Sequence, residues 1–91
     1  MNGRALLAKN LTRLRLERGI SQERLAADAD VDRAYLSLLE RQRGNATIDV
    51  LDKLAASLDV PLFEFFREIK PGTKQPPPLP VGRPPKKRTS R

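Results

Sequence analysis

The sequence predicts a compact all-α domain of five short helices, residues 1–70, followed by a disordered, basic, proline-rich tail, residues 71–91. Three observations carry that expectation. Apolar residues recur at helical spacing from Leu7 to Leu58. Residues suited to capping helices, Ser21, Asp32 and Thr47, stand just ahead of three of those apolar runs. From Pro71 onward the composition changes: the last 21 residues hold seven of the eight prolines and almost nothing apolar, so they cannot bury a core.

The first helix is expected over 3–18. Leu7, Leu11 and Leu14 fall at i, i+4 and i+7 and form its inner stripe, flanked by Leu6 and Leu16. Gly19 suits the end of that helix because it takes positive φ without penalty. Ser21 then caps a helix over 21–29, with Ile20 and Leu25 spaced as a hydrophobic staple. Asp32 caps the next, 32–41, with Val31 and Leu36 as its staple. The Ala29-Asp30 link is too short for anything but a turn, so the two helices must pack at a steep angle. Leu25, Ala29, Val31, Leu36 and Leu39 form the inside of the pair, and the small Ala26 allows close approach where they cross. A loop over 42–46 follows. Thr47 caps a helix over 48–58 whose apolar positions are Ile48, Leu51, Leu54, Ala55 and Leu58. Pro61 opens a last helix, 61–69, with Leu62, Phe65, Phe66 and Ile69 on one face. Phe63 lies off that stripe; it is either covered by its neighbours or a dimer contact.

Composition excludes several chemistries. With no Cys there is neither a disulfide framework nor a thiolate, and with no His the commonest general base and metal ligand is missing. No nucleophile–base pair, metal cluster or phosphate loop suggests an enzyme, a metal site or a cofactor. No apolar run approaches a membrane span and the N-terminus lacks a signal-peptide core, so a cytoplasmic protein is the simplest expectation. The net charge of +7 is unevenly held. Residues 1–70 carry 12 basic and 11 acidic residues, whereas residues 71–91 carry 6 basic and none acidic. The domain is nearly neutral and the tail is the cation.

The stretch from Arg15 to Val60 resembles the Cro-type, lambda-repressor-like helix-turn-helix family (XRE-like regulators). The matching positions are Arg15, Arg18, Gly19, Ser21-Gln22, Leu25-Ala26, Ala29, Val31, Tyr35-Leu36-Ser37, Leu39-Glu40-Arg41, Asn45, Thr47-Ile48, Leu51, Lys53-Leu54-Ala55, Leu58 and Val60. The likeness extends over roughly residues 4–69. It implies a transcriptional regulator of prokaryotic or phage type, a repressor that binds double-stranded DNA as a homodimer. It also implies that Arg15 pairs with Glu40 in a partly buried ion pair. Three positions depart from the family: Asp30 stands for the turn Gly, Gln42 for a loop Gly and Ala46 for a loop Pro. Asp tolerates left-handed φ at some cost, and Gly44 offers a flexible position in place of Gln42.

DNA recognition needs contacts that position and contacts that specify. Helix 32–41 is the recognition candidate. With Leu36 and Leu39 facing in, its outward residues are Arg33, Ala34, Ser37, Leu38 and Arg41. Arg33 suits guanine O6 and N7, Ala34 and Leu38 suit thymine methyls, and Ser37 suits a base edge or a phosphate. Gln22, at a helix N-terminus that attracts anions, is a phosphate candidate, and the resemblance implies that it also braces the recognition helix. Tyr35, with its ring on the domain and its hydroxyl outward, joins Arg41, Arg43 and Asn45 as further phosphate candidates. In the tail, Gly82-Arg83-Pro84 resembles the core of an AT-hook, which lies in the minor groove of A·T-rich DNA; Arg83, Lys86, Lys87 and Arg88 are expected to meet DNA there or by general phosphate attraction. The competing reading is a protein-interaction adaptor or antitoxin on the same fold, with Pro76–Pro80 as a polyproline II ligand for a protein partner.

Overall fold

The computed structural model describes residues 1–69 and 76–79. Four α-helices and one 3-10 segment follow in order: α1 (Gly3–Glu17), α2 (Gln22–Ala29), α3 (Arg33–Glu40), α4 (Ile48–Leu58) and the 3-10 segment Leu62–Phe66. No strand occurs among the described residues. The all-α class agrees with expectation; the count of five α-helices does not.

Each α-helix starts the same way. Asn2, Ser21, Asp32 and Thr47 accept a hydrogen bond from the backbone amide three residues on, at 2.9–3.2 Å. Each bond satisfies one of the free amides of a first turn. Each helix also ends the same way. Ile20, Val31, Arg43 and Val60 donate their amides to the carbonyls of Arg15, Ala26, Leu38 and Ala55, five residues back. A second amide bond lies inside each, the pattern that terminates a helix through a left-handed residue. The left-handed residues are Gly19 (φ 67°), Asp30 (φ 59°), Gln42 (φ 64°) and Asp59 (φ 58°). Gly44 is not among them. What Gly44 supplies is room: a Cβ there would stand 3.0 Å from Leu39 Cδ2. The flexible position expected at Gly44 is therefore Gln42 itself, in a strained conformation.

The core is contributed by every element. Leu7, Leu11 and Leu14 of α1 meet Leu25, Ala26 and Ala29 of α2, Leu36 and Leu39 of α3, Leu51, Leu54, Ala55 and Leu58 of α4, and Phe65. The helix α1 packs on α3 and on the 3-10 segment, while α2 packs on α3 and α4. Ile20, Val31, Tyr35, Val50 and Val60 close the edges.

Two expectations fail at the ends of elements. Residues 61–69 do not form an α-helix. The 3-10 segment has three residues per turn, so Leu62 and Phe65 turn inward together while Phe66 is left 43% exposed. Ile48, placed by periodicity on the inner face of α4, is 62% exposed, and Val50 packs on the core instead. Ile48 is the first residue of its helix, where nothing lies alongside to cover it.

A buried polar residue explains why the last segment stops short. Asn10 is fully buried in α1, and its side-chain amide donates to the carbonyls of Leu6, Phe65 and Arg67 at 3.0, 3.1 and 2.9 Å. Its side-chain oxygen accepts from Arg13 at 2.9 Å. The carbonyls of Phe65 and Arg67 thus find a side-chain partner in α1 rather than an amide further along their own chain, and Arg67 turns extended (φ −68°, ψ 133°).

Candidate nucleic-acid interface

The three-helix junction around Glu40 sets the geometry of this surface. Arg15 of α1 grips the carboxylate with two parallel bonds, Nε to Oε2 at 2.7 Å and Nη2 to Oε1 at 2.9 Å. Its remaining nitrogen donates to the carbonyl of Ile20 at 2.9 Å. Gln22, the first residue of α2, donates Nε2 to the same Oε1 at 3.1 Å. One carboxylate at the end of α3 therefore ties that helix to α1 and to the start of α2. Because both oxygens accept from groups that are themselves held, α3 is fixed in rotation as well as position.

On that fixed helix, Leu36 and Leu39 are buried, and the opposite side is open. Arg33 and Ala34 are exposed, Ser37 and Leu38 half-buried, and Arg41 exposed at the C-terminus. Arg33 has no ion-pair partner among the described residues. The N-terminus of α3 is capped by Asp32, whose carboxylate accepts from the Tyr35 amide at 3.2 Å.

The loop after α3 is clamped from two sides. Arg4 of α1 donates Nε to the carbonyl of Gly44 at 3.3 Å and Nη2 to the side-chain oxygen of Asn45. Tyr35 packs its ring against the core and donates its hydroxyl to the Asn45 carbonyl. The hydroxyl proton expected to serve a phosphate is therefore committed to the loop, and Tyr35 is a positioning residue here. Arg43 and Asn45 remain exposed beside it. Arg83, Lys86, Lys87 and Arg88 lie outside the described residues. Phe63 is 69% exposed, so it is not covered by its neighbours.

Two contributors were not visible in the sequence pattern. Arg4 acts across 40 residues of chain, and no spacing rule links it to Asn45. Asn10 did leave a signal: three residues after Leu7 and four before Leu14, a polar side chain sits on the inner face of α1.

The family model for helix-turn-helix matches residues 11–65. The chain belongs to the helix-turn-helix family. In its terms α2 and α3 are the two motif helices, and Gln22 and Arg33 sit at their N-termini. A hypothetical transcription factor of Neisseria meningitidis is 41% identical over 63 residues, 69% of this chain and 59% of that relative, so the chain spans less than two thirds of the relative's length. The restriction–modification controller C.AhdI of Aeromonas hydrophila is 35% identical with a TM-score of 0.67, over 69% of this chain and 96% of that one. The controller C.Esp1396I, solved bound to a 19 base pair DNA duplex, is 33% identical with a TM-score of 0.66, over 72% of this chain and 88% of that one. Among the described residues, no helix is long and apolar enough to cross a membrane.

Proposed function

We propose that this chain is a sequence-specific, double-stranded DNA-binding transcriptional regulator, a repressor that works by binding rather than catalysis. It inserts residues 32–41 in the major groove and acts as a homodimer on a two-fold operator. One observation carries the reading: α3 is locked at its C-terminal end by the Arg15–Glu40–Gln22 junction while Arg33 and Ala34 stand free at its N-terminal end. A reading head needs that combination, because base contacts specify only if the helix cannot rotate away from them. The likeness to a controller solved on a DNA duplex supports the same assignment.

In this reading Arg33, Ala34, Ser37 and Leu38 face base edges. Gln22, Arg41, Arg43 and Asn45 face phosphates, and the basic tail residues Arg83, Lys86, Lys87 and Arg88 add sequence-independent attraction. Selection from a random duplex library with the full-length protein tests it. The expected product is a palindromic motif with half-sites one helical turn, ~34 Å, apart. Arg33→Ala should abolish the preference at one symmetry-related base pair, about 1–3 kcal/mol of discrimination. A library that returns without any enriched motif would refute the reading.

A further inference from the structure

The proline-rich segment, which the DNA reading leaves without a role, does not stand clear of the domain. An open cleft of about 600 Å³ is walled by Thr12 and Leu16 of α1, Gln22 of α2, Arg33 of α3, and Pro78 and Leu79. Along this segment Pro76 and Leu79 are half-buried, whereas Pro77 and Pro78 are exposed. Leu79, half-buried, lines the cleft beside Pro78, and the half-buried Leu16 gives it an apolar wall.

Two of these cleft residues are the ones assigned to DNA, Gln22 to a phosphate and Arg33 to a base edge. A duplex seated on α3 and a peptide seated in this cleft require the same surface. We propose that Pro76–Leu79 is an intramolecular strap that docks between α1 and the N-termini of α2 and α3 and competes with duplex DNA for Gln22 and Arg33. The inference rests on the DNA reading above and adds regulation to it. The strap is proline-rich and loses little backbone freedom on docking, and its attachment to the domain makes the event intramolecular. A strap seated nine-tenths of the time lowers the apparent affinity for DNA about tenfold.

The test uses the full-length protein and Leu79→Ser, which removes the docked apolar side chain without changing charge or touching the core. Amide cross-peaks of Thr12, Leu16 and Gln22 are compared in the two proteins without DNA, and the affinity of each for the library-selected duplex is then measured. The expected result is that those cross-peaks move and that Leu79→Ser binds about three- to tenfold more tightly. Unmoved cross-peaks overturn the docking. Moved cross-peaks with unchanged affinity overturn the competition. If neither protein binds any duplex, the DNA reading has failed and the competition falls with it; the cross-peaks then show separately whether the strap docks.

Discussion

Arg15 and Glu40 meet at 2.7 and 2.9 Å with side chains only 10% and 6% exposed. Taking two charges out of water is costly, and here the cost is offset by a bidentate pair whose spare donors and acceptors also find partners in Ile20 and Gln22. Arg15→Ala leaves the carboxylate stranded and is expected to cost about 3–5 kcal/mol, read from the midpoint of a urea melt. Gln42 presents the opposite case, a residue in a conformation that disfavours it. Left-handed φ costs a residue with a Cβ about 1–2 kcal/mol, against which glycine brings a greater entropy loss on folding. Gln42→Gly should therefore raise the thermal midpoint modestly, by the equivalent of about 1 kcal/mol. The nearby Gly44→Ala should lower it, since its Cβ would press on Leu39. Equal melts for wild type and both variants would show that neither strain nor close packing limits this loop.

Helix starts were legible because a cap is a local event: Ser21, Asp32 and Thr47 each act on an amide three residues away. Helix ends were legible at Gly19 and at Asp30, where the short Ala29-Asp30 link demands a turn. Gln42 and Asp59 adopt the same left-handed turn without such a signal, because the packed helices on either side dictate the chain path. The last element failed as an α-helix because its carbonyls bond sideways to Asn10 rather than along the chain. Asn10→Ala strands those carbonyls and is expected to cost about 1–3 kcal/mol. Amide exchange should speed up in Leu62–Phe66 more than in α2 and α3. Uniform loss of protection across all elements would mean that Asn10 supports the core generally rather than docking this segment.

For the whole molecule, the exposed aromatic surface is the one that carries Phe63. At 69% exposed, with Phe66 also 43% exposed, it leaves large aromatic side chains facing solvent in a monomer of this size. Dimerisation through Phe63 is expected to bury this ring, and Phe63→Glu should then give a monomer by sedimentation at concentrations where wild type is a dimer. A variant that sediments as wild type does would place the contact elsewhere. Charge is divided on the same large scale. The domain is near neutral, while the tail holds 6 basic and no acidic residues, so its share of any DNA affinity is expected to fall with salt.

Periodicity and capping chemistry were sufficient for the all-α class, the bounds of α2, α3 and α4 to within a residue, and most of the core, because these depend on residues three or four apart on one helix. The outward placement of Arg33 and Ala34 was accessible for the same reason. The Arg15–Glu40 pair came from family likeness, since no local rule joins positions 25 apart. What only the tertiary structure decided were the events between elements: Arg4 and Tyr35 clamping the loop at Asn45, Asn10 holding the 3-10 segment, and Leu79 lining a cleft with Gln22 and Arg33. Each joins groups that packing alone brings together, and spacing along a chain carries no record of such meetings.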